Sequence, residues 1–272
     1  MPALPYGERR ERFVHFMFGL KKLFQRNTRP DVPAALWQDV EARLPWLSYL
    51  SVAERQSLRE MALDFMASKV FAGAHGFEPD NPVRLSIALQ ACVPVLKLGL
   101  SSYGGWSGIV VYPGEFVIPR TTQDEDGLIH EYDEEALGES WDGGPVIISW
   151  FDNPDDYAGA QVVVHEFAHK LDQLSGGADG MPPLHTGMSI DDWCDAFDAA
   201  YEDFCDKVDA AEQAGTDTAI DPYAAEHPAE FFAVASEVFF TEPALLWKEY
   251  PAIYQQLMQF YRQDPGHIEK TS

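Results

Sequence analysis

Val162-Val163-Val164-His165-Glu166-Phe167-Ala168-His169-Lys170-Leu171-Asp172 is the stretch from which the rest of the chain can be read. It carries H-E-x-x-H. Residues four apart on a helix share a face, so His165 and His169 can offer two imidazoles to one Zn²⁺. Glu166 points beside that face, where a water to be activated would sit. A carboxylate there can take the water's proton and later pass it to a leaving amine. The valines before His165, with Phe167 and Ala168 inside the motif, predict a buried helix. Two His and a Glu are costly to bury without partners. The alternative is a surface helix with two unpaired His, and the apolar flanks count against it. A motif this short also arises by chance, so the reading depends on a further ligand.

A catalytic zinc keeps three protein ligands and one open position. H-E-x-x-H-x-x-G-x-x-H would need Gly and His after Asp172, but the chain continues Gln173-Leu174-Ser175. A glutamate from a second helix remains. Tyr223-Ala224-Ala225-Glu226-His227-Pro228-Ala229-Glu230-Phe231-Phe232-Ala233-Val234-Ala235-Ser236-Glu237-Val238-Phe239-Phe240 supplies two candidates. Glu230 and Glu237 are seven apart, so they share a helix face, and they lie among Phe and Val. Buried carboxylates call for a metal or another cation; the alternative is two exposed acids on an amphipathic helix. Glu230, in the first turn, is the expected ligand. Glu237 is expected to accept a hydrogen bond from a ligand imidazole, and Asp172, three residues past His169, is its rival for that role. One Zn²⁺ per chain, held by His165, His169 and Glu230, makes the expected type a zincin with glutamate as third ligand.

Composition narrows the class. The chain has 272 residues, 46% hydrophobic and 13% aromatic, enough for a substantial core. With 44 acidic against 19 basic residues its formal net charge is −25. That balance disfavours nucleic acid and anionic membrane, both polyanions. Cys92, Cys194 and Cys205 are too few for a disulfide scaffold and too widely spaced for a structural zinc site. Cys194 and Cys205 are expected as core thiols. No signal core precedes residue 30 and no run reaches the ~18 apolar residues of a membrane span, so the expected location is the cytoplasm.

Along the chain, Lys21, Lys22, Arg26 and Arg29 form the one basic cluster, in an expected arm over 1–30. Ser51-Val52-Ala53-Glu54 is a capping box opening a helix to about Phe71. A second helix is expected over 82–93. Strands are expected at 95–100, 108–112, 115–118 and 145–150, with an acidic exposed loop or hairpin over 121–144. The H-E-x-x-H helix is expected over 157–174, then a loop at 175–183. Helices follow at 190–211, 227–240 and 243–261, and a loose tail at 264–272. The whole predicts a single α+β domain, mainly helical, with a small mostly antiparallel sheet packed on the H-E-x-x-H helix.

H-E-F-A-H-K-L-D followed by Y-A-A-x-x-P-A-E-F-F-A-V-x-S-E-x-F-F resembles the Mlc titration factor A family of bacterial zinc peptidases. Ala91-Cys92-Val93-Pro94-Val95-Leu96-Lys97-Leu98-Gly99-Leu100, Val111-Tyr112-Pro113, Gly144-Pro145-Val146-Ile147-Ile148-Ser149-Trp150 and Gln259-Phe260-Tyr261-Arg262-Gln263-Asp264-Pro265 extend the resemblance over about residues 50–265. It implies zinc on His165, His169 and Glu230, with Glu166 as general base. A tyrosine seven residues before the ligand Glu, as in the catalytic domain of anthrax lethal factor, corresponds to Tyr223. Its phenol would donate to the developing oxyanion; the alternative for Tyr223 is capping or packing before a helix. The resemblance further implies an aminopeptidase rather than an endopeptidase, acting on peptide substrates, and binding to an Mlc-like transcriptional repressor of sugar-uptake genes. The strand at 146–150, just before the site helix, is the expected edge for an extended peptide.

Overall fold

The computed structural model describes residues 28–123, 129–151 and 161–266. Most of the expected N-terminal arm and most of the tail, with the proposed break at 153–156 and the helix start at 157, lie outside the described residues. Of the basic cluster only Arg29 is described. It pairs with Glu60 (2.7 Å) and Asp64 (2.5 Å) on the acidic body.

Eight α-helices lie among the described residues. They are α1 (Ala34–Ala42), α2 (Val52–Ser68), α3 (Asn81–Cys92), α4 (Val162–Asp172), α5 (Ile190–Ala214), α6 (Pro228–Thr241), α7 (Pro243–Glu249) and α8 (Pro251–Tyr261). The Ser51 box opens α2 as expected: Ser51 Oγ accepts from the Glu54 amide while the Glu54 carboxylate accepts from the Ser51 amide. The helix stops at Ser68, however, and Val70–Gly73 forms β1. Lys69 turns the chain to extended geometry and sends its Nζ to the carbonyls of Tyr103 (2.7 Å) and Trp106 (2.9 Å).

The main sheet is mixed, which corrects the expectation of a mostly antiparallel one. β2 is Gly108–Pro113, β5 Gly138–Ser140 and β6 Val146–Trp150, and with β1 their order is β1-β2-β6-β5. β1 with β2 and β2 with β6 are parallel; only β5 with β6 is antiparallel. The cause is visible in the chain. α3 lies between β1 and β2 and supplies the crossover that parallel strands need. The unbroken apolar runs Ile109-Val110-Val111 and Val146-Ile147-Ile148 suit strands covered on both faces. Antiparallel pairing also joins β3 (Phe116–Gln123) to β4 (Ile129–Ala136), a ribbon that takes up residues 121–123 and 129–136 of the expected acidic loop or hairpin.

Position in the sheet overturns a second expectation. Val146–Trp150 is an inner strand between β2 and β5, and the edge beside the site helix is β5. The expected strand at 95–100 is a run of turns, closed by Leu96 N–H to Val93 O (3.1 Å) and Gly99 N–H to Val95 O (2.7 Å). Val93 and Val95 are fully buried there without a strand partner. The expected last helix is two, because Pro251 offers no N–H and forces Tyr250 out of helical geometry (φ −138°, ψ 71°).

One apolar cluster draws on residues from Trp37 to Tyr261. Ile109, Val111, Val146 and Ile148 point into it, while Val110 and Ile147 point to the other sheet face with Ala74 and Phe116. α4 lies inside this packing, against α3, α6, β5 and β6, and all eleven of its residues are buried. On α5 the inward face is Trp193, Phe197, Ala200, Phe204 and Val208. Cys194 and Cys205 are therefore only half-buried rather than core thiols, and Cys92 alone is fully enclosed. No described helix is long and apolar enough to cross a membrane.

Candidate metal centre

α4 and α6 pack against each other and bring three polar side chains to one point. His165 and His169, one turn apart, present Nε2 atoms 3.1 Å from each other. Glu230 Oε2 lies 3.0 Å from the first and 3.2 Å from the second. Glu230 owes its place to the start of α6. His227 caps the helix, its Nδ1 accepting from the Ala229 amide at 3.1 Å, and Pro228 occupies the first turn. A carboxylate in the first turn also sits at the positive end of the helix dipole.

Glu237, two turns further along α6, lies behind His165. Its Oε1 is 2.7 Å from His165 Nδ1, and its Oε2 accepts from the Gln161 amide at the head of α4 (2.9 Å). An Nδ1–H donated to Glu237 leaves the His165 Nε2 lone pair aimed at His169 and Glu230. Asp172 does something else. Its Oδ2 accepts from the Gly180 amide at 2.8 Å, tying down the loop after the site helix. Its Oδ1 and His169 Nδ1 are both buried without a hydrogen-bond partner.

The donor set fits a metal ion. His165, His169 and Glu230 each offer a ligand atom, all within 4.8 Å of one another. Ligands about 2.1 Å from one tetrahedral centre lie about 3.4 Å apart, close to these separations. The electrostatics ask for a cation as well. Burial opposes a charge on His165, but hydrogen bonds with Glu230 and Glu237 outweigh it and raise its pKa well above the usual imidazole range. For Glu230 burial raises the pKa, and hydrogen bonds from His165 and His169 outweigh it and bring it below the usual carboxylate range. A proton on His165 thus answers a negative field that a divalent cation would also answer.

Glu166 is 4% exposed, with Oε2 buried and unpartnered. Its pKa is pushed up to about 8, chiefly by burial; His165 opposes this, and Glu230, Glu139 and Glu237 add to it. The edge strand closes over this carboxylate. A Cβ at Gly138 would lie 2.2 Å from Glu166 Oε1, so only glycine lets the β5 backbone approach this closely. Tyr223 lies in the short turn Pro222–Ala225 before α6, 39% exposed, its ring centroid 6.1 Å from that of His165.

The structure thus brings His165, His169, Glu230 and Glu237 together near Glu166, sets the Tyr223 ring beside His165, and leaves Asp172 turned to Gly180. Sequence reasoning missed the β5 side of the site. Gly138, Lys170 and Gln173 lie there: Gln173 Nε2 donates to Ser140 O at 2.8 Å, and Lys170 Nζ donates to the carbonyls of Trp141 and Gly144. Asp133-Glu134-Glu135-Ala136-Leu137 before Gly138 and Glu139-Ser140 after it are poor in strand formers, so the local sequence carries no signal of this close approach.

The profile of the family described as glucose-regulated metallo-peptidase M90 matches residues 20–262. The chain is 38% identical over 241 residues to Mlc titration factor A of Salmonella typhi, covering 87% of this chain and 89% of that one. It is 37% identical to the Escherichia fergusonii protein of the same name, over 85% of this chain and 87% of that one. The Klebsiella pneumoniae protein is 36% identical, with 84% and 86% covered.

Proposed function

The chain belongs to the glucose-regulated metallo-peptidase M90 family, and on that premise we propose that it is a zincin-like, zinc-dependent aminopeptidase acting in the cytoplasm. The convergence of two imidazole nitrogens and one carboxylate oxygen beside the buried Glu166 carries this reading. His165, His169 and Glu230 hold one zinc ion per chain. Zinc held there supplies a Lewis acid for the scissile carbonyl and a lower pKa for water.

The chain's own residues do the rest. Glu166 takes a proton from the attacking water and hands it to the departing amine. A carboxylate whose pKa burial has raised toward neutrality suits both transfers. The Tyr223 hydroxyl donates a hydrogen bond to the oxygen on which negative charge develops. Glu237 holds the His165 ring with its Nε2 lone pair forward. Asp172, with one oxygen unpartnered, holds the loop and supports His169 electrostatically.

A screen of chromogenic aminoacyl substrates, with and without chelator, tests the reading. Chelator-sensitive release from substrates with a free amino terminus is expected. Activity indifferent to chelator, or none with zinc present, would overturn it.

The relatives' name favours a second reading. They are called titration factors of Mlc, and this chain would likewise bind an Mlc-like transcriptional repressor, with peptide cleavage secondary. Pull-down of the repressor by zinc-stripped protein, with no peptide cleaved by the zinc form, would establish this reading over the first.

A further inference from the structure

We propose that Gln173 caps the free edge of β5 and thereby limits a bound peptide to about two residues on the amino-terminal side of the scissile bond. The proposal rests on the peptidase reading and deepens it: the substrate class becomes peptides whose free amino terminus lies close to the bond that is cut.

The argument starts from the register of the edge strand. Gly138 faces Ile148, Glu139 faces Ile147 and Ser140 faces Val146. Leu137 O accepts from Ser149 N–H at 2.7 Å, and Trp141 N–H donates to Pro145 O at 3.2 Å. In an antiparallel pair, alternate residues bond inward. Residues 137, 139 and 141 do so here, which turns the N–H and C=O of Gly138 and Ser140 toward the free side. Gly138 lies against the Glu166 carboxylate, and its outward groups have no partner among the described residues. Such an edge is a template for an added strand.

Ser140 is different, because its outward carbonyl is taken by Gln173 Nε2 at 2.8 Å. The amide is held in that sense from behind, since Lys170 Nζ donates to Gln173 Oε1 at 3.2 Å. Lys170 also binds the carbonyls of Trp141 and Gly144, so the same cation anchors the strand end and its cap.

Direction is set by antiparallel addition, the orientation proposed. A peptide added antiparallel to β5 runs opposite to the order 138 to 140. Its residues amino-terminal to the reacting bond, which lies at Glu166 and Gly138, therefore extend toward Ser140. Two strand residues cover about 7 Å, and there the Gln173 side chain occupies the hydrogen-bonding position. Residues on the carboxyl-terminal side extend the other way, away from Gln173.

The test compares alanyl-, dialanyl- and tetra-alanyl-p-nitroanilide, and acetyl-dialanyl-p-nitroanilide, in the zinc-loaded wild type, Gln173→Ala and Gln173→Glu. Calorimetric binding of dialanine and tetra-alanine is measured alongside. The wild type is expected to favour the two short unblocked substrates by about tenfold or more in kcat/KM, one lost strand hydrogen bond being of that size. Both variants, which lose the donor to Ser140 O, should shift that ratio toward the longer and blocked substrates by about the same factor, and should gain affinity for tetra-alanine over dialanine. A length profile that is flat in the wild type, or unchanged in both variants, overturns the proposal, as does absence of peptide binding. If no substrate is cleaved but the binding profile shifts as stated, the peptidase reading fails and the cap stands.

Discussion

Glu166 is where burial and chemistry meet. Its carboxylate is enclosed by α4, α6 and the β5 backbone, with one oxygen unpartnered. Glu166→Gln preserves shape and removes the base. Zinc content should stay at the wild-type level while kcat falls by about 10²–10⁴, read by metal analysis and steady-state rates on the same sample. Gly138→Ala tests the enclosure. The added methyl meets the end of a flexible side chain rather than backbone, so the fold should persist while the carboxylate is displaced. A kcat reduced about tenfold or more, at unchanged circular dichroism, is the expected outcome; wild-type kcat would show that the carboxylate has room to spare. Glu237→Gln keeps an acceptor for His165 Nδ1–H but removes the charge behind it. Zinc affinity should weaken by about 10–100-fold in chelator competition, with the protein still folded.

Elements are placed by packing, and some of that is invisible in local sequence. α1 is fastened to α2 by Glu41, whose carboxylate takes Arg59 Nε at 2.6 Å, Arg59 Nη2 at 2.9 Å and Arg55 Nη1 at 3.3 Å. Burial alone would raise the Glu41 pKa, but the hydrogen bonds from Arg59 and Arg55 outweigh it and lower it. A lowered carboxylate pKa stabilises the fold above the unfolded value and stops doing so as pH falls through the folded one. Glu41→Gln should therefore cost about 1–3 kcal/mol at neutral pH. Its urea midpoint should converge on the wild type as pH drops below the ordinary carboxylate range. The elements carried by local chemistry were legible: the Ser51 box, the break at Glu242-Pro243, and the H-E-x-x-H helix. β1 was not, because Val70 and Phe71 continue the apolar spacing of α2 and only their partner Gly108–Ile109 makes them a strand. The turns at 95–100 were misread for the converse reason, since an apolar run without a neighbouring strand to pair with curls into the core. Pro251 is itself a local signal for the break between α7 and α8.

At the scale of the molecule, the centre is assembled from residues about sixty-five positions apart, His165 and Glu230, held by contact between α4 and α6. The ligand-bearing residues could be singled out in sequence because H-E-x-x-H and the Glu230 turn each imply burial of charge, and buried charge is rarely idle. What sequence could not reveal is the third wall. β5 is a three-residue strand whose place depends on pairing with β6 and on the grip of Lys170, and its importance emerges only in three dimensions. The central claim is that this centre binds one metal ion through His165, His169 and Glu230. The most direct test is metal analysis by mass spectrometry of purified wild type beside Glu230→Ala and His169→Ala, each shown to be folded. The account predicts one zinc per chain in the wild type and a large loss in both variants. Wild type without stoichiometric metal after zinc loading, or variants that keep it undiminished, would contradict it.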